Sequence, residues 1–199
     1  MIPIEAICMK PIHKFTSEEQ HELGDCRYAT HLQYKVTKID SEERTMIDIQ
    51  LVELEEPYHK AYTASEDDWE LYSRIAPQGY SLGAYIGTSL VGVVIAEEVK
   101  WNNTVLIWHF QVAEDYRRMS VGRQLMEELV RLAEGNGIRA INLETQNTNV
   151  NAIRFYRKCG FEIEGIDLSY YTNDDVFDGE VAIFMKRKIK IRATGQGLM

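Results

Sequence analysis

The sequence predicts an α/β fold of the α+β kind, with a mixed, mostly antiparallel central sheet of about seven strands and flanking helices. Three observations predict it. Between residues 79 and 112, three apolar, β-branched stretches follow one another with only short turns between them, which is the spacing of antiparallel strands. From Thr104 to Gly137, a strand passes through a short basic turn into an amphipathic helix, and a further strand, Ile141 to Thr145, follows as the parallel partner of a crossover. Two more strands, Glu162 to Leu168 and Val181 to Lys188, come after a second helix.

Taken in order, residues 1 to 32 carry little periodicity. Pro3 and Pro11 interrupt it, and Ser17-Glu18-Glu19-Gln20 ahead of Leu23 marks a short capped helix. Leu32 to Ile39 and Met46 to Leu54 pattern as strands around the turn Ser41-Glu42-Glu43-Arg44, a hairpin or two neighbouring strands. Seven carboxylates then fall between Glu53 and Glu70, interleaved with Tyr58, Tyr62 and Trp69. Two readings stay open here. One is a solvated acidic loop leading into a helix capped by Ser65, whose Glu66, Asp67 and Asp68 complement the helix dipole. The other is an electrostatic funnel for a substrate bearing several ammonium groups.

Strands follow at Gly79 to Ile86, Thr88 to Glu97 and Thr104 to Val112, with turns at Ile86-Gly87-Thr88-Ser89 and Lys100-Trp101-Asn102-Asn103. The run Leu90 to Ile95 is almost wholly apolar, as expected of a central strand covered on both faces. A polar loop, Thr172 to Gly179, joins the last two strands.

With 199 residues, 45% hydrophobic and 27% charged, the chain suits one globular core. We expect an N-terminal elaboration over residues 1–40, the main domain over 41–190 and a flexible tail over 191–199. No stretch approaches the roughly 20 apolar residues of a membrane span, and Met1 to Glu5 lack a secretory pattern, so the expectation is a cytoplasmic protein without a membrane partner. A net charge of −9 argues against a nucleic-acid partner and for a cationic one. Cys8, Cys26 and Cys159 sit at no metal-ligand spacing and read as buried thiols, so no metal is expected. The expected assembly is a monomer or a homodimer.

The chemistry centres on Tyr116-Arg117-Arg118-Met119-Ser120-Val121-Gly122 and the helix Arg123 to Glu134, which Gly135 and Gly137 end. A strand feeding a helix through such a turn aims unpaired N–H groups and a positive dipole end outward, a cradle for phosphate. The second helix carries Ala152-Ile153-Arg154-Phe155-Tyr156-Arg157-Lys158-Cys159-Gly160-Phe161.

Together these segments resemble the GNAT superfamily of N-acetyltransferases, through its R/Q-x-x-G-x-G/A turn and its N-x-x-A-x-x-F-Y-x-x-x-G-F helix. The resemblance implies the GNAT fold, acetyl-CoA as cosubstrate and a small cationic amine as acceptor. It implies that Arg117, Arg118, Met119, Ser120, Val121, Gly122 and Arg123 hold the pyrophosphate, that the Val112 N–H polarises the thioester carbonyl and that Asn151 meets the pantetheine arm. It also makes Tyr156 the general acid that protonates the departing thiolate, although Tyr156 shares a helical face with Val150 and Ile153 and equally suits a core position. Ser120 departs from the pattern, standing where the first glycine is usual. For the base that deprotonates the amine, the candidates are Glu144, His109, Asp178 and Glu180, with Glu144 first because it sits on the strand beside the expected cleft.

Further segments resemble one branch of that family, the streptothricin (nourseothricin) acetyltransferases, which acetylate the β-lysine amine of a cationic antibiotic. They are Glu56 to Tyr62, Trp101-Asn102, Leu143 to Gln146, Phe155 to Phe161, Gly165 to Asp167 and Asp178 to Phe184. Where that branch has acidic residues near the end of the motif strand, this chain has Trp108-His109-Phe110-Gln111. N-acetylation of another small amine or polyamine, and acyl-CoA binding without turnover, therefore stay open.

Overall fold

The computed structural model describes residues 7–190. The expectations for Met1 to Glu5 and for the 191–199 tail lie outside the described residues. Among the described residues, nine strands and five α-helices follow in the order β1 (Ile7–Pro11), α1 (Ser17–Leu23), β2 (Cys26–Asp40), β3 (Thr45–Tyr62), α2 (Glu66–Ile75), β4 (Leu82–Ile86), β5 (Ser89–Val99), β6 (Thr104–Val112), α3 (Val121–Gly135), β7 (Ala140–Gln146), α4 (Val150–Lys158), β8 (Glu162–Asp167), α5 (Asp175–Asp178) and β9 (Ala182–Lys188). Seven strands form one sheet in the order β1-β4-β5-β6-β7-β9-β8. Every neighbouring pair is antiparallel except β6 and β7. No helix among the described residues is long and apolar enough to cross a membrane.

The sheet divides two layers of core. Along β5 successive side chains point to opposite faces. Val94 and Ala96 join Leu125, Met126 and Leu129 of α3 and Ile153 of α4, whereas Val93 and Ile95 join Phe15, Tyr72 and Ile75 beside α1 and α2. Burial on both sides is why β5 carries an unbroken apolar run. Gly92 lets α3 press close, because a Cβ there would lie 3.0 Å from Leu125 Cδ1 and 3.1 Å from Val121 Cγ1.

Four expectations need correction. The acidic stretch from Glu53 is no loop: β3 runs on to Tyr62, with Glu53 and Glu55 exposed and Val52 and Leu54 half-buried between them, a period of two. The expected boundary at residue 40 splits the β2–β3 hairpin at its turn, and the segment before it supplies the edge strand β1 and the buried Phe15 and Leu23. Of the three cysteines only Cys159 is buried; Cys8 is exposed on the edge strand and Cys26 half-buried. The α1 cap is Thr16, one residue before the expected serine, closing a capping box with Glu19, while Ser65 is the expected cap of α2 and closes a box with Asp68.

Two features open the site. Strands β6 and β7 pair only from Thr104↔Ala140 to Ile107↔Leu143, although both run on. The β5–β6 register shifts opposite Ile95 and Ala96, which leaves Trp108 as an extra residue, and such a bulge bends β6 away from its parallel neighbour. The hairpin is stitched across the opening by Asn147. Its buried amide donates from Nδ2 to the Tyr34 carbonyl at 2.9 Å and accepts from the Val181 N–H at 2.8 Å, so the group is satisfied on both sides.

Candidate active site

The cofactor side is made of backbone. Ala113 N–H donates to the Val91 carbonyl at 3.0 Å, and in an antiparallel ladder the next residue turns its N–H the other way. Val112 N–H therefore faces the gap from which β7 has diverged, the direction a thioester carbonyl needs. The Val112 carbonyl is taken by Arg117 Nε at 3.1 Å, so this arginine braces the end of β6 as well as standing in the turn. Beyond it, Arg118 and Ser120 have φ of 63° and 67°, left-handed conformations that turn successive N–H groups into a concave nest.

Ser120 precedes α3 without capping it, so its side chain leaves the first-turn N–H groups to a ligand. Glycine is usual at that position because it adopts this conformation without strain. At Gly122 a Cβ would come within 3.3 Å of Phe155 Cζ and Val112 Cγ2, which ties the start of the helix closely to β6 and α4. Met119 and Val121 belong to the same turn, Val121 buried and Met119 half-buried; Arg123 points outward and pairs with Glu127 at 2.8 Å. These residues fit a pyrophosphate.

In α4, Asn149 is the N-cap, its Oδ1 accepting from Ala152 N–H at 3.2 Å, and it lines the cleft. Asn151 is exposed and does not line it. The cleft position expected of Asn151 is held by Asn149 instead. Counting back from Phe155-Tyr156 through the helix motif also reaches Asn149, a signal present in the sequence.

The cleft itself is a cavity of about 410 Å³ in the gap between β6 and β7. Tyr156 and Glu144 both line it. Tyr156 is buried beside Phe110, Phe155 and Phe161 with ring centroids 5.3 to 6.2 Å away, so the core reading and the cleft reading hold together. Burial pushes its phenol well above the ordinary tyrosine range, which keeps the proton on. Burial also raises the Glu144 carboxyl, with Glu180 adding to the effect and a hydrogen bond from the Tyr171 hydroxyl opposing it.

The other base candidates separate by position. His109 lines the cavity but is buried against Phe15 and Tyr72; burial lowers its pKa to about 4, and its Nε2 has no partner. A base with so little proton affinity is poorly matched to an ammonium. Asp178 takes a hydrogen bond from Thr172 at 3.1 Å outside the cavity, and Glu180 accepts from the Tyr58 hydroxyl at 3.0 Å and pairs with Lys60.

The acceptor side draws on elements far apart in the chain. Of the seven carboxylates between Glu53 and Glu70, only Asp68 reaches the cavity, beside Tyr62 and Tyr72. The supposed funnel narrows to that one group, and the other six acids are exposed, Glu53, Glu55 and Glu56 on β3 and Glu66, Asp67 and Glu70 on α2. The negative charge is completed instead by Glu144 and, behind Lys60, by Glu180. Tyr28, Lys60, Tyr170 and Tyr171 also line the cavity, none of them anticipated. Tyr171 is held there by Asp175, a buried carboxylate that accepts from Tyr171 N–H at 3.0 Å and Thr172 N–H at 2.6 Å.

The acetyltransferase (GNAT) family matches this chain over residues 44–161. The streptothricin acetyltransferase of Escherichia coli is 33% identical over 128 residues, covering 64% of this chain and 69% of that protein. In fold, the crystal structure of nourseothricin acetyltransferase is similar with a TM-score of 0.72 at 23% identity, over 92% of this chain and 99% of that one. A candidate streptothricin acetyltransferase from Bacillus anthracis str. Ames, solved in complex with acetyl coenzyme A, gives 0.65 at 23% identity over the same shares. The chain belongs to the GNAT family, as an acetyl-CoA-dependent N-acetyltransferase.

Proposed function

We propose that this cleft transfers the acetyl group of acetyl-CoA to a primary amine of a small substrate with more than one cationic centre, namely the β-lysine amine of streptothricin. The observation that carries the proposal is the convergence of Glu144, Tyr156 and Asp68, from β7, α4 and α2, in one tyrosine-lined cavity.

Bound acetyl-CoA supplies an acetyl carbonyl activated by its thioester. The nest from Arg118 to Gly122 and the α3 dipole hold the pyrophosphate, and Asn149 steadies the pantetheine arm. Val112 N–H donates to the carbonyl oxygen where negative charge develops. Glu144, a stronger base than an ordinary carboxylate because of its burial, takes the proton from the attacking amine. Tyr156 returns a proton to sulfur as the C–S bond breaks. Asp68 and the faces of Tyr62 and Tyr72 hold a second ammonium.

A second reading, acetylation of another small amine or polyamine, is favoured by β6. Trp108 donates to Glu97 at 2.7 Å and His109 is held neutral, so that strand offers no charge to the substrate. Thiol release from acetyl-CoA with streptothricin, with a linear polyamine and with neither distinguishes the two. We expect release that needs streptothricin, and an Asp68→Asn variant with a raised KM for the antibiotic and a smaller change in kcat. Tight acetyl-CoA binding without release on streptothricin would overturn the proposal; release on the polyamine alone would establish the second reading.

A further inference from the structure

A lysine on the wall of a cleft that takes a cationic amine is out of place by charge. Lys60 of β3 lines the cavity together with Asp68 and Glu144, and its ammonium pairs with Glu180, which stands behind it and does not line the cavity. The pair is well enclosed, its two side chains 27% and 21% exposed. Glu180 also accepts from the Tyr58 hydroxyl at 3.0 Å, and Lys60 Nζ lies 5.9 Å from the centre of the Tyr171 ring. A carboxylate on one side and an aromatic face on the other are the two contacts that hold an ammonium ion. Lys60 therefore fills an ammonium site from within the chain.

A tie between elements does not require a charge at that address. The hairpin is already joined to the segment before β9 by Gln33, whose Nε2 donates to the Gly179 carbonyl at 2.6 Å, and by Asn147, which reaches Tyr34 and Val181. The charge has a consequence of its own for the substrate. With Glu180 neutralised by Lys60, the acceptor half offers Glu144 to the reacting amine and Asp68 to one further ammonium, a complement for two amino nitrogens. β-Lysine, a diamino acid, carries two. Removal of the lysine charge would expose Glu180 as the partner of a third.

We propose that Lys60 is a specificity-determining residue, a resident cation that occupies the place of a third substrate ammonium, so that the cleft holds two amino nitrogens of its acceptor rather than three. The proposal rests on the reading of this cavity as the amine site. Calorimetric titration of the CoA-saturated protein with 1,4-diaminobutane and with the triamine spermidine tests it without turnover. Lys60→Met keeps most of the side chain and removes the charge; it should raise the triamine-to-diamine affinity ratio about 10- to 100-fold, the range for a hydrogen bond to a charged group. Glu180→Gln should act in the opposite direction and weaken both amines, because the lysine charge is left unopposed beside them. The double variant should return the ratio to that of wild type. A pair that only ties the hairpin in place would give losses in both single variants. That result, or an unchanged ratio in Lys60→Met, would overturn the proposal, while amine binding by wild type would keep the cavity as the acceptor site. Binding of neither amine by any of these proteins would also overturn it, and streptothricin titrated in the same way then decides the underlying reading: heat of binding keeps the amine site, and none removes it.

Discussion

The two halves of the active site are built in opposite ways. The cofactor half lies within one continuous stretch from β6 to the end of α4, and its working atoms are backbone N–H groups and a helix dipole. The acceptor half gathers Tyr28, Lys60 and Tyr62 from the hairpin, Asp68 and Tyr72 from α2, and Tyr170 and Tyr171 from the segment after β8. Its working atoms are side chains. A backbone site tolerates a change of residue so long as φ and ψ survive, as Ser120 does in a left-handed conformation. A side-chain site changes its ligand whenever one residue changes, so substrate choice within the fold resides there.

The sharpest test of that division lies at the seam. Glu144→Gln and Tyr156→Phe should each lower kcat by about 10²- to 10⁴-fold, the range for loss of general acid–base catalysis, with acetyl-CoA affinity unchanged in a direct binding titration. Weakened acetyl-CoA binding in either variant would make that side chain part of the cofactor half instead. Because the Glu144 pKa is raised, wild-type activity should fall on the acid side at a pH above the ordinary carboxylate range. Stability follows the same sign. A raised folded pKa contributes stability below the unfolded pKa, lost as pH rises through the folded one, so Glu144→Gln should melt higher than wild type at neutral pH and alike in acid.

A smaller effect separates the halves by acid sensitivity. His109, on the wall shared with α2, has a folded pKa of about 4 against an ordinary 6.5. Above pH 6.5 the histidine is neutral whether folded or unfolded. As pH falls from 6.5 to about 4, only the unfolded chain gains the proton, so stability declines through that window and then levels. The loss should be about 3 kcal/mol by the linkage of pKa to stability. Denaturant titrations across that range should show it in wild type and a much flatter profile in His109→Gln. Equal slopes would mean that the core beside α2 admits the charge.

The same division governs what could be read in the sequence. Residues 104–161 were legible because their signals are local: an apolar strand, a turn, a helix with a spaced motif. The parallel pairing of β6 with β7 followed from the crossover. The acceptor half was not legible, because Lys60, Tyr171 and Asp175 reach the cleft through hairpin length and loop folding, which no local pattern encodes. Even the acidic stretch misled in part: its alternation with Val52 and Leu54 already indicated a strand, yet its charge suggested a loop. Asp68 was visible as a first-turn acid of a helix, but that it also faces the cavity depends on how α2 packs against the sheet.

Ser120→Gly should have the smallest effect and addresses the comparison most directly. At φ 67° an L-residue is strained, by roughly 1–2 kcal/mol. Glycine removes the strain but loses more conformational entropy on folding, so the net gain should be about 1 kcal/mol or less, read as a modest rise in melting temperature. The N–H proposed to face the pyrophosphate is kept, and CoA affinity should hold. A fall of about tenfold or more, the loss expected for a hydrogen bond to a charged group, would mean that the serine hydroxyl donates to phosphate. The cofactor half would then read a side chain as well, and the line between the two halves would move from the seam into the turn.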